Sequence, residues 1–304
     1  PYLMTAREDE TRKGDLLPGS SLGHTTPPAM PGNFLSRKEL FHLIDTRSPG
    51  ATIVLAPSGY GKTTLVAEWA HQNKERVFWA TATGNEKTAE FRNIVFQAVR
   101  NVVPDFAPWF KPNSDLSSKE IFKRFFDDIA ALGKDYVFVL DNGSSSENLN
   151  AAILAQYMLD ILPDNLHLIL IRRNSTELSF ARFAQRGNLN LISATDLRLN
   201  KDEVDTIATL NGIDCSDPDV ESFLKLANGW PVCVQLLAKN YSKGMRQTNF
   251  SLKMSSSMEP LRILTTETFN ILSVLDQEQL MKLSILKNFD IDTAQVVLSK
   301  EYSL

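Results

Sequence analysis

The stretch LAPSGYGKTTL, Leu55 to Leu65, decides the fold of this 304-residue chain. It follows a short apolar run over residues 51–56 and leads directly into a helical pattern over residues 62–72. A glycine turn between a buried strand and a helix, with Lys and Thr where the helix begins, has the spacing of a phosphate-binding loop. Ala56 stands where the first glycine is usual, and alanine is a small enough change to keep the tight turn. The stretch therefore predicts that the chain binds a nucleotide.

The residue types in this loop each suit one part of a nucleotide. Gly59 and Gly61 let backbone N–H groups converge on phosphate oxygens without a Cβ in the way. Lys62 places a positive charge against the β- and γ-phosphates, and the Thr63 hydroxyl is positioned for Mg²⁺. The helix that begins here adds its positive N-terminal end. The predicted nucleotide-binding residues of the loop are Pro57, Ser58, Gly59, Tyr60, Gly61, Lys62, Thr63 and Thr64.

A second strand end supplies the acid that a magnesium site needs. Asp141 ends the apolar run YVFVLD, and Mg²⁺ is usually held through one or two carboxylates together with substrate phosphates. We therefore predict a metal site at Thr63 and Asp141, binding Mg²⁺ directly or through water. Asn142 follows where many P-loop ATPases carry a second acid that polarises the attacking water, and an amide cannot accept that proton.

Asn142 leaves two interpretations of catalysis open. In one, another residue such as Glu147 supplies the base, or hydrolysis needs a partner. In the other, the site binds ATP and hydrolyses it very slowly. Lys62, Asp141 and Asn142 are the candidate catalytic residues from the motifs.

The pattern along the chain predicts an α/β fold with a doubly wound parallel sheet. Apolar runs typical of strands buried on both faces alternate with helical stretches. After residue 194 the strand pattern stops, and three short helical stretches follow, each opened or closed by Gly or Pro. The predicted strands cover residues 51–56, 76–82, 136–141, 166–171 and 189–194, and the main predicted helices cover residues 62–72, 88–103, 117–132, 150–162, 200–212, 217–229 and 230–241.

The N-terminal residues have a different character. Residues 1–33 are rich in charged residues, Pro, Gly, Ser and Thr, so we predict a disordered tail there. Order is expected to begin near FLSRKELFHLI, where Ser36 and Glu39 have the spacing of a helix capping box.

Composition excludes several classes of protein. The net charge of −4 and the pI near 5.7 do not indicate a surface that neutralises nucleic-acid phosphates. Two cysteines, Cys215 and Cys233, are too few for a disulfide framework and are expected to be buried. No apolar run is long enough for a membrane span, and no signal sequence is present, so we expect a cytoplasmic protein without a membrane partner.

A set of motifs in this order resembles a known family. LAPSGYGKTTLVAEWA, FVLDN, LHLILIRRN, FARFAQRGNL, DLRLNKDEV and NGWPVCVQLLA are similar to the STAND nucleotide switches, and in particular to the ATPase module of large LuxR-like activators of the maltose-regulon type. The similarity runs from about residue 34 to about residue 299. The phosphate loop alone is generic, whereas its combination with Gly229-Trp230-Pro231 is specific.

The resemblance implies further site residues. Arg173 matches the family's arginine that senses the γ-phosphate, although Arg172 beside it leaves open which of the two points inward. Pro231 matches the proline that packs on the adenine and ties the helical lobe to the nucleotide. Leu35 and Arg37 lie where the family's N-terminal segment forms a wall of the adenine pocket.

The resemblance also implies an architecture and a function. We expect a disordered tail (1–33), a P-loop NTPase domain (34–199), a helical lid domain (200–243), and a linker with the start of a winged-helix-like lobe (244–304). The implied function is an ATP- or ADP-binding, Mg²⁺-dependent switch of a transcriptional activator that self-associates in its ATP form. Inducer and DNA would bind through C-terminal regions outside this chain. The alternatives are a STAND ATPase of a non-transcriptional effector, a P-loop ATPase with steady turnover, and a scaffold whose pocket binds nothing.

Overall fold

The computed structural model describes most of the chain between residues 25 and 298. The described residues are 25–30, 34–44, 46, 49–82, 86–112, 116–141, 156–173, 179–216, 218–242, 269, 273–286, 293–294 and 297–298. Among the helices of these segments, none has the length and apolar character that crossing a membrane requires. Asn142, Glu147 and nearly all of the predicted linker lie outside the described residues.

Five parallel strands form one sheet within the described part of the chain, in the order β2-β3-β4-β1-β5. The predicted doubly wound α/β fold is confirmed, and each predicted strand is present. The strands are β1 (Gly50–Leu55), β2 (Val77–Thr81), β3 (Tyr136–Asp141), β4 (Leu166–Arg172) and β5 (Leu189–Ser193).

Helices cover both faces of the sheet. Successive side chains of a strand point to opposite faces, so Phe78 joins one apolar core and Trp79 joins the other. The helices are α1 (Lys62–Gln72), α2 (Thr88–Arg100), α3 (Ser118–Ala131), α4 (Ala181–Gln185), α5 (Ala194–Leu197), α6 (Lys201–Leu210), α7 (Pro218–Ala227), α8 (Pro231–Ser242) and α9 (Val274–Leu283). Helices α2 and α3 bury an aromatic core on one face, and α1 buries the other face.

The strand order places a crevice above β1 and β4. From β1 the chain continues to β2 at one edge of the sheet, and from β4 it continues to β5 at the other edge. Because β1 and β4 are hydrogen-bonded neighbours, their outgoing connections separate at this point. Open α/β sheets bind ligands in such a crevice at the carboxyl ends of the strands. The phosphate loop, the end of β3 and the end of β4 all lie at this edge.

Helices α6, α7 and α8 form a separate apolar cluster, which we call the helical lobe. Its buried residues include Ile207, Val220 and Val234. Cys233 is buried in this cluster, and burial raises the pKa of its thiol to about 11. Cys215 is exposed, so the expectation that both cysteines are buried was wrong for Cys215, which lies in the turn between α6 and α7.

The segment before β1 differs from its prediction. It forms a 3-10 helix over Lys38–Leu43 that begins after Arg37, so the predicted Ser36–Glu39 capping box was wrong. The Ser36 hydroxyl instead donates to Glu68 Oε1 on α1 at 2.5 Å, and the Arg37 N–H donates to Glu68 Oε2 at 3.2 Å. A buried carboxylate needs hydrogen-bond donors, and this long-range demand takes precedence over the local cap.

Part of the predicted tail contacts the NTPase domain. Asn101 Nδ2 donates to the carbonyl of Thr25 at 2.8 Å, and His71 Nε2 lies 2.9 Å from the carbonyl of Pro28. Met30 packs against the core on the α1 face of the sheet. Residues 25–30 therefore lie on the domain surface, whereas residues 1–24 and 31–33 are outside the described residues.

Candidate nucleotide-binding site

The phosphate loop, Ala56 to Gly61, has the backbone that phosphate binding requires. Gly59 and Gly61 have φ angles of +79° and +76°, a left-handed region that glycine adopts without strain. Gly61 is the N-cap of α1 and provides no side-chain cap. The first N–H groups of a helix have no partner within the helix and form the positive end of its dipole. The start of α1 is thus suited to an anion.

Lys62 is buried beside this helix start, with 8% of its surface exposed. Its Nζ donates to the carbonyl of Pro57 at 2.8 Å, on the other side of the loop. The pKa of Lys62 is lowered to about 8, mainly by burial and also by the charge of Arg173, while the charge of Asp141 opposes both. A cation in this environment is poorly solvated, and a phosphate oxygen is a stronger partner for it than a neutral carbonyl.

Thr63 and Asp141 meet at the carboxyl end of the sheet, as the metal-site prediction requires. The Thr63 hydroxyl donates to Asp141, with Oγ1 3.1 Å from Oδ2 and 3.3 Å from Oδ1. Asp141 ends β3 and is 5% exposed. A hydroxyl and a carboxylate are oxygen ligands of the kind Mg²⁺ takes. The two residues fit the predicted metal, and they would hold it beside the β- and γ-phosphates.

The two arginines at the end of β4 have different environments. Arg172 is the last residue of β4, and its carbonyl accepts a hydrogen bond from the Ala56 N–H at 3.3 Å. Burial lowers the pKa of the Arg172 guanidinium. Arg173 is exposed, and its positive charge lowers the pKa of Lys62. Of the two arginines, Arg173 is therefore the one whose charge acts on Lys62.

The helical lobe contacts the phosphate loop directly. Trp230 Nε1 donates to the carbonyl of Ser58 at 3.2 Å, and the Val232 N–H donates to the carbonyl of Gly59 at 3.2 Å. The rings of Tyr60 and Trp230 are stacked, with centroids 6.0 Å apart. Pro231 lies between these two donors as the buried first residue of α8. The residue predicted to pack on the adenine is therefore adjacent to the loop.

Leu35 and Arg37 lie against the helical lobe. Leu35 packs on its apolar cluster. The Arg37 guanidinium donates to both carboxylate oxygens of Glu203, at 2.6 and 3.2 Å, and to the carbonyls of Leu197 and Arg198. Because these contacts engage its charged group, Arg37 would line a nucleotide pocket with its backbone or stem and not with its guanidinium.

Four residues that contact or support the site were not assigned a role from the sequence. Trp230 and Val232 flank Pro231, and only the proline of that motif had an expected role. Glu68 and Glu203 hold the segment around Arg37. Glu68 lies at an ordinary position of α1, and Glu203 forms a capping box with Asn200 at the start of α6. Neither position signals a contact with Arg37.

No known family model matches the chain. An HTH-type transcriptional regulator MalT from Vibrio parahaemolyticus is 25% identical over 291 residues, covering 92% of this chain and 32% of the relative. The MalT of Vibrio cholerae is 24% identical over 243 residues, covering 77% of this chain and 27% of the relative. The chain thus spans about a third of the length of these relatives.

A solved structure has the same fold. It is a STAND (signal transduction ATPase with numerous domains) protein with a tetratricopeptide repeat sensor, from Pyrococcus horikoshii. The TM-score is 0.54 at 16% identity, covering 90% of this chain and 38% of that one. This chain has the fold of that STAND protein and resembles MalT in sequence. The family resemblance predicted from the motifs is confirmed.

Proposed function

We propose that this chain is the nucleotide-binding switch module of a transcriptional regulator. The observation that carries the proposal is the group formed by the buried Lys62, the Thr63–Asp141 pair and the uncapped start of α1. These residues supply a cation, a metal-binding pair and N–H donors at one edge of the sheet. ATP or ADP with Mg²⁺ is the ligand whose chemistry matches all three.

The proposed switch depends on whether ATP or ADP is bound. A conformational change follows from binding only when the ligand has different affinities for the two conformations. In the proposal, Arg173 contacts the γ-phosphate of ATP, whereas Pro231 contacts the adenine that ATP and ADP share. ADP would hold the helical lobe against the NTPase domain, and ATP would favour an open, self-associating form. The acidic pI of this chain supports assigning DNA binding elsewhere in the regulator.

The similarity to MalT supports the transcriptional interpretation over a non-transcriptional effector. Those relatives are HTH-type transcriptional regulators, and the match covers most of this chain. The alternative is an enzyme whose function is ATP hydrolysis itself. Steady ATP turnover at about 1 s⁻¹ or faster, within the ordinary range of enzymes, would favour that alternative.

Substitution of Lys62 tests the proposed site. We expect Lys62→Ala to weaken ADP and ATP binding at least about 100-fold, because a charge-assisted bond to phosphate is lost in a poorly solvated site. Isothermal titration calorimetry with each nucleotide, in the presence of Mg²⁺, measures the change. Lys74→Ala is the matched control, since Lys74 is an exposed lysine just after α1.

The same titration can contradict the site. Wild-type affinity in Lys62→Ala would mean that the nucleotide does not bind at this loop. Equal losses in Lys62→Ala and Lys74→Ala would indicate a nonspecific effect of charge. Either result would remove the basis of the proposed function.

A further inference from the structure

The contact between the helical lobe and the phosphate loop is made through backbone groups of the loop. Trp230 Nε1 binds the carbonyl of Ser58, and the Val232 N–H binds the carbonyl of Gly59, both at 3.2 Å. These carbonyls belong to two consecutive peptide groups, Ser58–Gly59 and Gly59–Tyr60. The lobe therefore constrains the orientation of two peptide planes in the centre of the loop.

The orientation of a peptide plane fixes the direction of its N–H as well as its C=O. The peptide group is planar and trans, so its N–H points opposite to its carbonyl. With the carbonyls of Ser58 and Gly59 held toward the lobe, the N–H groups of Gly59 and Tyr60 point away from it. N–H groups of this loop type are the donors that converge on phosphate.

Close packing at Gly59 adds a steric component to this contact. A Cβ at Gly59 would lie 2.6 Å from Val232 Cγ1 and 3.1 Å from Trp230 Nε1. A Cβ at Gly61 would meet no atom within 4 Å, although Gly61 has nearly the same φ. The lobe thus lies in van der Waals contact with one glycine of the loop and leaves the other open.

We propose that Trp230 and Val232 are positioning residues for nucleotide binding: they hold the phosphate loop from outside so that the N–H groups of Gly59 and Tyr60 face the phosphates. This inference rests on the proposed nucleotide function and gives the helical lobe a second role beside the adenine contact of Pro231. Lobe docking and phosphate binding then act on the same two peptide groups from opposite sides, so each strengthens the other.

The inference distinguishes Trp230 from Arg173. The peptide groups of the loop serve phosphates that ADP and ATP share, so in the docked form the Trp230 hydrogen bond supports both nucleotides. ATP favours the open form, in which this bond is absent, so loss of the bond weakens ADP more than ATP. A γ-phosphate sensor, in contrast, affects ATP alone. We expect Trp230→Phe, which keeps an aromatic ring and removes the indole N–H, to weaken ADP about fivefold, the size of one net hydrogen bond, and ATP by a smaller factor.

Trp109→Phe is the matched control for this substitution. The Trp109 indole N–H donates to Asp128 Oδ2 at 2.6 Å, in the aromatic core on the α2–α3 face of the sheet. Trp109→Phe also removes one indole hydrogen bond but leaves the phosphate loop unchanged. Calorimetric titration of ADP and of ATP with Mg²⁺ into both variants gives the comparison. Two results would overturn the inference and leave the proposed function intact. One is an equal loss of affinity in Trp230→Phe and Trp109→Phe. The other is wild-type affinity in Trp230→Phe while Lys62→Ala does not bind nucleotide.

A measurement without nucleotide tests the contact independently of the proposed function. In ¹⁵N-labelled protein free of ligand, we expect the amide signals of Gly59 and Tyr60 to shift and exchange faster with solvent in Trp230→Phe, and to be unchanged in Trp109→Phe. Unchanged Gly59 and Tyr60 signals in Trp230→Phe would show that Trp230 does not hold the loop. Absence of ADP binding in the wild-type protein would overturn the proposed function, and with it the role in nucleotide binding.

The two glycines provide a second pair of variants. Gly59→Ala and Gly61→Ala both force alanine into a left-handed conformation and weaken nucleotide binding through strain. Only the Gly59 substitution clashes with Val232. We expect hydrogen exchange at the start of α8 to rise in Gly59→Ala and to stay at the wild-type rate in Gly61→Ala. The same rate in both variants would contradict the packing contact.

Discussion

At the scale of single residues, the site is organised around positive charge beside the phosphate loop. Lys62 is buried, and its ammonium group donates to the neutral carbonyl of Pro57. Arg173 adds a second positive charge, which lowers the pKa of Lys62. Asp141 compensates in part, but it also accepts the Thr63 hydroxyl. An anionic ligand would relieve the repulsion between the two cations, and that relief adds to the affinity for phosphate.

We predict that one side chain, that of Arg173, distinguishes ATP from ADP. We expect Arg173→Ala to lower ATP affinity about tenfold or more and to leave ADP affinity nearly unchanged, because a charge-assisted hydrogen bond to the γ-phosphate contributes about 1.5–3 kcal/mol. Competition of each nucleotide against a fluorescent ADP analogue measures the ratio. Arg172→Ala should keep the wild-type ratio. If Arg172→Ala removes the discrimination and Arg173→Ala does not, the assignment of the two arginines must be exchanged.

At the scale of secondary-structure elements, the segment before β1 connects the NTPase domain to the helical lobe. Ser36 and the Arg37 backbone bind Glu68 on α1. The Arg37 side chain binds Glu203 on α6 through two N–H groups. A segment held from both sides in this way limits how far the lobe can move, whatever nucleotide is bound.

The elements of the core were predictable from the sequence because their signals are local. The run YVFVL before Asp141 is apolar, and the spacing of Ser117 and Glu120 marks the start of α3, where both capping hydrogen bonds are observed. Such patterns lie within a few residues of the element they specify. They gave the fold class, the strands, and Thr63 and Asp141 as a pair at the carboxyl edge of the sheet.

The contacts of the N-terminal segment were not predictable, because they depend on distant residues. Ser36 lies 32 positions from Glu68, and Arg37 lies 166 positions from Glu203. The local spacing of Ser36 and Glu39 indicated a capping box, and tertiary contacts replaced it. The same reasoning applies to Trp230, which meets Ser58 across 172 positions. Motifs identify the residues that bind ligand, whereas the residues that hold those motifs in place become visible only in the fold.

The Arg37–Glu203 pair gives a prediction at the element scale. Its side chains are 12% and 11% exposed, so the pair is shielded from solvent, whereas Glu39 is 58% exposed and 4.0 Å from Arg37. Exposed pairs contribute little, but a shielded bidentate pair is stronger. We expect Glu203→Gln to lower the free energy of unfolding by about 1–3 kcal/mol and to increase hydrogen exchange in α6. Denaturant unfolding and exchange mass spectrometry measure the two effects.

Glu39→Gln is the matched control for that prediction. It removes a carboxylate near the same arginine without removing the bidentate contact, so its unfolding free energy should stay within about 0.5 kcal/mol of the wild-type value. Equal effects of Glu39→Gln and Glu203→Gln would mean that the charge of Arg37, and not its contact with α6, is what matters.

At the scale of the whole molecule, the helical lobe meets the NTPase domain at several points within the described residues. They include the hydrogen bonds from the Trp230 indole and the Val232 N–H to carbonyls of the phosphate loop, the Arg37–Glu203 pair, and the packing of Leu35 on the lobe. In the proposal, Pro231 adds a contact with the nucleotide base. These contacts between residues favour the docked lobe, and in the proposed switch the difference between ATP and ADP comes from the γ-phosphate.

The free-energy difference between ATP and ADP limits how far the equilibrium between the docked and open lobe can shift. One charge-assisted hydrogen bond to Arg173 contributes about 1.5–3 kcal/mol, which is about a 10- to 150-fold shift in an equilibrium. Reversing a two-state population from 1:99 to 99:1 needs about a 10⁴-fold preference. ATP alone is therefore expected to give a mixture of docked and open molecules, and further ligands of the regulator would have to supply the rest.

This estimate leads to a prediction about self-association. With ADP and Mg²⁺ we expect a single small species in sedimentation velocity experiments. With a non-hydrolysable ATP analogue and Mg²⁺ we expect a partial, concentration-dependent shift to larger species, since only the open fraction can associate. Arg173→Ala should show the ADP behaviour with both nucleotides, because it lacks the contact that separates them. Identical sedimentation of the wild-type protein with the two nucleotides, at concentrations that saturate the site, would show that nucleotide binding in this chain is not coupled to assembly.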